Sequence, residues 1–172
     1  MKIITLSPTN KWLVPGIVFF IALTVRLFYL SELPANPLFD YFPHSLDHFN
    51  FDQSAQNFAS GDILARATNN SFAPLYKYFL GTLYFVFGRN LHAIYAVQFL
   101  MGSVSCILVY FIGKEVFGNR AGILSGLTLA LYTPHIVYEG IILRAAFISF
   151  WGVTSLFFLF RLRRFFNTSH LI

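Results

Sequence analysis

The stretch LHAIYAVQFLMGSVSCILVYFI, residues 91–112, decides the fold class of this chain. It contains no Asp, Glu, Lys or Arg, and it is long enough for an α-helix to cross the hydrocarbon core of a bilayer, which takes ~20 apolar residues. Three more apolar stretches occupy residues 12–30, 121–138 and 141–160. Each predicts a transmembrane helix. The sequence therefore predicts an all-α, polytopic membrane helix bundle with about four spans.

The composition excludes several classes of protein. Of 172 residues, 56% are hydrophobic and 11% are charged, whereas an ordinary soluble domain has ~25% charged residues. The net charge of +5 comes from basic residues scattered singly rather than in a stripe, so nucleic acid is not an expected partner. The lone cysteine, Cys106, excludes a disulfide framework and a cysteine-based metal cluster.

A further apolar stretch, residues 73–88, is too short to cross the membrane comfortably. It carries Lys77, and Pro74 and Gly88 mark its two ends. A helix of this length reaches only ~24 Å at ~1.5 Å per residue. We expect a helix that lies at the outer interface with its tyrosines at the level of the lipid headgroups.

The basic residues orient the predicted spans. With four spans and an uncleaved first span whose N-terminus is inside, most of them lie in the cytoplasm: Lys2, Lys11, Lys114, Arg120, Arg161, Arg163 and Arg164. The outer side then has Arg66, Lys77, Arg89 and Arg144. A fifth span at 73–88 would reverse the later segments against the positive-inside rule. We expect one membrane domain over residues 1–172, both termini in the cytoplasm, and an outer loop at 31–90 with short helices.

The outer loop contains the acidic stretch HSLDHFNFDQSAQNFASGD, residues 44–62. Asn50 can cap a helix that ends at Gly61. Asp52 then falls in the first helical turn, where the helix dipole favours a carboxylate for structural reasons. Asp47 lies before the cap, outside this predicted helix. The residues alone leave open whether Asp47 is a solvated loop acid or a group available for chemistry.

Three other ionisable residues lie close to predicted spans. Arg26 is near the outer end of the first span, Glu139 is in the second outer loop, and Arg144 begins the fourth span. Such residues are candidates for function, although Arg26 can equally be an interfacial anchor. The predicted topology puts Asp47 and Glu139 on one side of the membrane. We expect both to meet in one outward-facing cavity, lined by Arg144.

Several motifs occur together in a characteristic order. They are RLFYL at the end of the first span, LDHFNFDQSAQNFASGD, APLYKYFLGTLYFVFG and YEGIILR. Over about residues 12–160 the chain resembles the N-terminal part of a GT-C superfamily glycosyltransferase, such as the lipid A aminoarabinose transferase. It is similar to bacterial members of the dolichyl-phosphate-mannose-protein mannosyltransferase-like group. This resemblance implies a location in the bacterial inner (plasma) membrane.

The resemblance also implies a reaction, in which a polyprenyl-phosphate donor anchored in membrane lipid gives its sugar to an acceptor at the outer face. It puts the catalytic carboxylate at Asp47 and a second acid at Glu139. His48 stands where family members often have a glutamate. Arg144 or Arg26 would stabilise the departing phosphate. No cofactor is implied with certainty, and Asp47, His48 and Glu139 are possible ligands of a divalent cation without tight ligand spacing.

Other interpretations stay open. Family enzymes have more spans, so the resemblance implies an incomplete GT-C module that acts with a partner chain supplying the missing spans. The main alternative is a non-catalytic membrane subunit or scaffold derived from the family. A transporter is less favoured, because the predicted spans 91–112 and 121–138 hold no charge near mid-membrane.

The predicted topology can be tested with reporter fusions that are active only outside the cytoplasm. A fusion near residue 65 should be active, because the 31–90 loop is expected outside. A fusion near residue 118 should be inactive. Activity at 118 together with silence after 140 would mean that the stretch 73–88 crosses the membrane.

Overall fold

This computed structural model describes residues 12–37, 39–63 and 73–169, and all regular secondary structure in these residues is helical. Its elements are α1 (Leu13–Glu32), a 3-10 turn (Leu33–Ala35), α2 (Asp47–Ala59), α3 (Pro74–Phe87), α4 (Leu91–Phe117), α5 (Asn119–Ala130), α6 (Thr133–Glu139) and α7 (Ala145–Ser169). Lys2, Lys11 and Arg66, which entered the topology prediction, lie outside the described residues.

The prediction of an all-α membrane bundle is confirmed. Three helical segments are long and apolar enough to cross a membrane, namely Leu13–Ala35, Leu91–Phe117 and Arg144–Arg163. The helices α5 and α6 pass the same test only as a pair, with a bend of 51° between them. Counting this bent pair as one span gives four candidate spans within the described residues.

The third predicted span, residues 121–138, is therefore not one straight helix. Pro134 lies in the first turn of α6, where its missing N–H and its ring prevent the helix from continuing through Thr133. The carbonyl groups at the end of α5 then need donors from outside their own helix. Arg26 of α1 supplies one, with Nη1 3.4 Å from the carbonyl oxygen of Ala130.

The helix α4 is the centre of the bundle. It packs against α1, α5, α6 and α7, and its first turns contact α3. The helix α2 packs on α3, where Phe51 meets the ring of Tyr76 edge to face at a centroid distance of 4.9 Å. A buried apolar cluster joins these elements through Leu80, Ile94 and Phe99. The helices α2 and α3 are thus part of the same folded unit as the candidate spans.

The helix α3 confirms the predicted short helix between Pro74 and Gly88. It has 14 residues and ends where Gly88 adopts a positive φ of 66°, a conformation that favours glycine. It is not among the candidate spans. The expectation for its tyrosines is wrong for Tyr76 and Tyr84, which are both buried. Their hydroxyls are satisfied inside the protein, by Gln98 Oε1 at 3.1 Å for Tyr76 and by Asp52 for Tyr84.

The helix α2 begins earlier than predicted. Its N-cap is Leu46, in extended conformation with φ −108° and ψ 152°, and the turn before it is closed by a Leu46 N–H to Pro43 O hydrogen bond of 3.0 Å. Asp47 therefore lies in the first helical turn rather than outside the helix. Asp52 lies deeper in the helix, on the buried face. The proline-rich approach ends in a tight turn, and helix formation starts directly after it.

A buried ion pair fixes α1 to α6. Arg26 and Glu139 have fully buried side chains, and Arg26 Nε lies 2.6 Å from Glu139 Oε2. A second hydrogen bond, from Nη2 to Oε1, measures 3.2 Å. Arg26 is therefore not an interfacial anchor that reaches the headgroups. Its guanidinium is held entirely within the protein, against the bend between α5 and α6.

The pair needs a glycine on α4. A Cβ placed at Gly102 would overlap the carboxylate of Glu139. The absence of a side chain at this position lets α6 bring Glu139 against α4, where it meets Arg26. Gly102 thus provides the space in which the two charges pair.

We expect Glu139→Gln to destabilise the protein by ~3–5 kcal/mol, the usual cost of breaking a buried ion pair and leaving one charge unpaired. The measurement is the free energy of unfolding in mixed micelles titrated with a denaturing detergent. Replacing both partners, in Arg26→Met/Glu139→Met, should recover most of the loss because no charge stays buried. The matched control, Glu115→Gln on the exposed part of α4, should change stability by less than ~0.5 kcal/mol. Equal stabilities for Glu139→Gln and Glu115→Gln would contradict the role of the pair.

A second prediction concerns the glycine itself. Gly102→Ala should destabilise the protein by at least ~1–3 kcal/mol, the cost of overfilling a packed interior. Gly152→Ala on α7, where an added Cβ would have no neighbour within 4 Å, should instead stabilise it by ~0.5–1 kcal/mol through helix propensity. The same detergent titration measures both. The change in the free energy of unfolding must have opposite signs in the two variants. An unchanged stability in Gly102→Ala would show that the Glu139 side chain can move aside.

Candidate functional site

A cavity of about 310 Å³ lies between the end of α1, the segment 39–48, the start of α4 and the α6–α7 connection. Its volume is at the lower end of the ~300–1,000 Å³ range of small-molecule sites. Aromatic side chains dominate its wall: Tyr29, Phe39, Tyr41, Phe42 and Tyr95. Asn36 and His48 add polar groups, and the described lining contains no Asp, Glu, Lys or Arg. Such a wall suits a small uncharged ring with polar substituents.

The first turn of α2 lies at this cavity. Leu46 and His48 both line it, and Asp47 between them is exposed. A carboxylate in a first helical turn is favoured by the helix dipole. Burial lowers the pKa of His48, and the charge of Asp47 opposes this shift only in part. The lowered pKa favours the neutral form of His48, next to an exposed acid.

The structure does not bring Asp47 and Glu139 together in an open cavity. Glu139 is fully buried beside Arg26, while Asp47 faces solvent. The expectation of a shared outward-facing cavity is wrong, because the Arg26 guanidinium draws the Glu139 carboxylate into the helix bundle. Val137 and Gly140, on either side of Glu139, do line the cavity. Glu139 thus lies behind the cavity wall.

Next to Glu139, one nitrogen of His135 is buried without a hydrogen bond. His135 Nε2 lies 3.0 Å from Glu139 Oε1, but their orientation does not form a hydrogen bond. His135 also lines a second cavity, a groove of about 490 Å³ between α4, α6 and α7. Its other lining residues are mainly apolar or aromatic: Val109, Leu129, Tyr132, Pro134, Tyr138, Ala145, Ser149 and Val153.

Arg144 lies between the two cavities along the chain. Gly140 and Ile141 before it line the cavity at α2, and Ala145 after it lines the groove. Arg144 itself is half-buried at the end of the α6–α7 connection. It lines neither space, contrary to the expectation for the first.

A polar cluster that the sequence did not predict joins α2 and the segment before it to the α3–α4 connection. Arg89, between α3 and α4, contacts Asp40 Oδ1 through Nη2 at 2.6 Å and Asp52 Oδ1 through Nε at 3.0 Å. Tyr84 donates a hydrogen bond to Asp52. The pKa of Arg89 is raised, most strongly by its hydrogen bond to the Asp40 carboxylate and less by its hydrogen bond to Asp52. The interpretation of Asp52 as a first-turn acid is wrong, since it is the buried partner of Arg89 and Tyr84.

The residues proposed as possible metal ligands are not grouped. Among the described residues, no three His, Cys, Asp or Glu side chains are close enough together to hold a metal ion. Glu139 is ion-paired with Arg26, and Asp47 and His48 lie on α2. A divalent cation would need ligands from beyond these three residues.

Comparison with known proteins identifies the family. The model of the family described as dolichyl-phosphate-mannose-protein mannosyltransferase matches residues 71–169, more than half of the chain. The matched range contains Arg89, Glu139 and Arg144, whereas Arg26 and Asp47 precede it. Searches of curated proteins and of solved structures found no significant match. The chain therefore belongs to the dolichyl-phosphate-mannose-protein mannosyltransferase family, in agreement with its resemblance to the GT-C superfamily.

Proposed function

We propose that the protein transfers a sugar from a polyprenyl-phosphate donor to an acceptor at the outer face of the bacterial inner membrane, with both termini in the cytoplasm. The observation that carries this proposal is the pair of spaces that flank the α6–α7 connection. One is an uncharged aromatic cavity beside an exposed acid. The other is an apolar groove along the membrane-spanning part of α7. A sugar ring and an isoprenoid tail are chemically suited to these two spaces.

Arg144 is the proposed contact for the phosphate that joins sugar and lipid. It precedes Ala145 of the groove and follows Ile141 of the cavity. A donor with its ring in one space and its tail in the other would place its phosphate near this connection. A guanidinium there would stabilise the negative charge of the departing polyprenyl phosphate.

Asp47 is the proposed general base. The acceptor oxygen forms a bond to the anomeric carbon as the bond from that carbon to the phosphate oxygen breaks. The phosphate leaves with the electron pair, and the acceptor proton passes to the Asp47 carboxylate. Neutral His48, which lines the cavity beside Asp47, is placed to hydrogen-bond the sugar or the acceptor.

Arg26 and Glu139 have a different role in this proposal. Because each side chain is fully buried in their ion pair, they support the cavity wall at Val137 and Gly140 rather than contact the substrate. The resemblance to the GT-C superfamily implies donor-binding groups on later segments. The proposal therefore includes further spans that supply these groups.

The alternative is a non-catalytic subunit of a membrane assembly. One observation favours it: Glu139, one of the two acids implied by the resemblance, is fully buried and ion-paired. A transporter has some support from the bent α5–α6 pair, because broken helices are common at transporter sites. The family match favours the glycosyltransferase. Replacing Asp47 by an uncharged residue distinguishes the glycosyltransferase from both alternatives, because only the proposed catalysis needs the Asp47 carboxylate as a base.

We expect Asp47→Asn to reduce sugar transfer by ~10²–10⁴-fold, the usual contribution of a general base. Asparagine keeps the size and most hydrogen bonding but removes the basicity. The assay follows transfer from radiolabelled polyprenyl-phosphate sugar in membranes that contain each variant at matched expression. Glu32→Gln, an equally exposed acid at the end of α1, is the control and should leave transfer unchanged. Transfer by Asp47→Asn at the parental rate would refute the catalytic assignment.

A further inference from the structure

One guanidinium holds two acidic residues on the outer loop. Arg89 forms two hydrogen bonds with Asp40, of 2.6 Å from Nη2 and 3.2 Å from Nη1. It forms two more from Nε to Asp52, of 3.0 and 3.2 Å. The same guanidinium lies over the ring of Phe42, 5.5 Å from its centroid. Arg89 thus contacts Asp40, which precedes α2, and Asp52, which lies within α2.

Along the chain, these contacts lie on either side of the residues proposed to act in sugar transfer. Asp40 and Asp52 are the two ends of the segment 40–52, and Asp47 and His48 lie between them. The segment also contributes Tyr41, Phe42 and Leu46 to the wall of the cavity. One side chain therefore fixes both ends of a loop that carries the proposed base.

Arg89 is itself well fixed. It lies between Gly88, where α3 ends, and Asn90, whose side chain caps α4 by accepting a hydrogen bond from Ala93 N. Its position is therefore set by two helix ends. On the other side, Tyr84 of α3 donates a hydrogen bond to Asp52. The contact joins α2 to the α3–α4 connection.

We propose that Arg89 is a positioning residue for sugar transfer, which holds the segment 40–52 closed so that Asp47 and His48 keep their places at the cavity. This inference rests on the proposed function. The planar fork of arginine presents separate N–H groups to two carboxylates, whereas lysine is a single compact charge. A role limited to a surface ion pair fits less well, because the Asp52 side chain is only 7% exposed and exposed pairs contribute little.

The first measurement is hydrogen exchange of the full chain in membranes or detergent. In Arg89→Met, the amides of residues 40–52 should exchange about 10- to 100-fold faster, because a buried carboxylate loses its charged partner. Amides of α4 should exchange at the parental rate. Arg89→Lys should give an intermediate rate. The matched control, Arg120→Met, removes an exposed arginine at the start of α5 and should change neither region.

The second measurement is sugar transfer by the same variants. Arg89→Met should lower kcat by up to ~10²-fold, the loss expected when a reacting group moves by about 1 Å. KM for the donor should change less, because Asp47 acts mainly in the transition state. Arg89→Lys should recover part of kcat, and Arg120→Met should keep all of it.

The outcomes separate this inference from the proposed function. Faster exchange confined to 40–52, together with lower kcat, supports the positioning role. Parental exchange in Arg89→Met overturns it, as does an equal rise in exchange over α4, which would indicate general destabilisation. Fast exchange at 40–52 with parental kcat also overturns it, provided that Asp47→Asn is inactive. Parental transfer by Asp47→Asn overturns the proposed function, and the exchange rates then decide whether Arg89 holds the segment.

Discussion

The arrangement of the helices depends on one buried ion pair, between Arg26 of α1 and Glu139 of α6. Neither charge is tolerable alone in the bundle, so the two helices must meet. The same junction gives Gln98 of α4 its partners, with Nε2 2.6 Å from the carbonyl oxygen of Glu139 and 3.1 Å from that of Ile141. Gln98 accepts in turn from Tyr76 of α3. A continuous path of polar contacts thus runs from α1 to α3.

This arrangement gives the two acids different chemistry. Glu139 is fully buried and ion-paired with Arg26, so its charge joins α6 to α1. Asp47 is exposed in the first turn of α2, and the proposed reaction uses it as the base that takes the acceptor proton. The cavity between them is uncharged in its described lining, so the charges that would act on a substrate come from its rim. In the proposed reaction, the wall would bind the neutral sugar ring, and charged groups at the rim would act on the acceptor proton and the donor phosphate.

The hydropathy of the chain predicted the bundle well, because crossing a bilayer imposes a long apolar stretch that any single sequence reveals. The short helix α3 could also be predicted, because Pro74 and Gly88 mark its two ends in the sequence. The bend at Pro134 had a local signal too, but a continuous apolar run concealed it. The start of α2 was misplaced because Asn50 matched a capping pattern, whereas the turn at Pro43–Leu46 started the helix earlier.

The contacts between distant residues had no local signal at all. Nothing near Arg26 in the sequence distinguishes an interfacial anchor from a buried partner of Glu139. Asp52 matched a first-turn acid by position, and only the folded chain shows that Arg89 and Tyr84 surround it. Gly102 looked like any small residue in a span. Its importance follows from a carboxylate that arrives from another helix.

The separation of Arg26 and Glu139 by 113 positions has a consequence for synthesis of the protein. A ribosome adding ~5–20 residues per second needs roughly 6–23 s between making the arginine and making its partner. During that time the first span carries an uncompensated charge, which costs ~2.5–3.5 kcal/mol at the centre of an inserting helix. The free energy of inserting the first span into lipid is therefore least favourable before Glu139 has been made. Glu139 can compensate this charge only once α6 has been made, so the ion pair that joins α1 to α6 forms after the later helices have been synthesised.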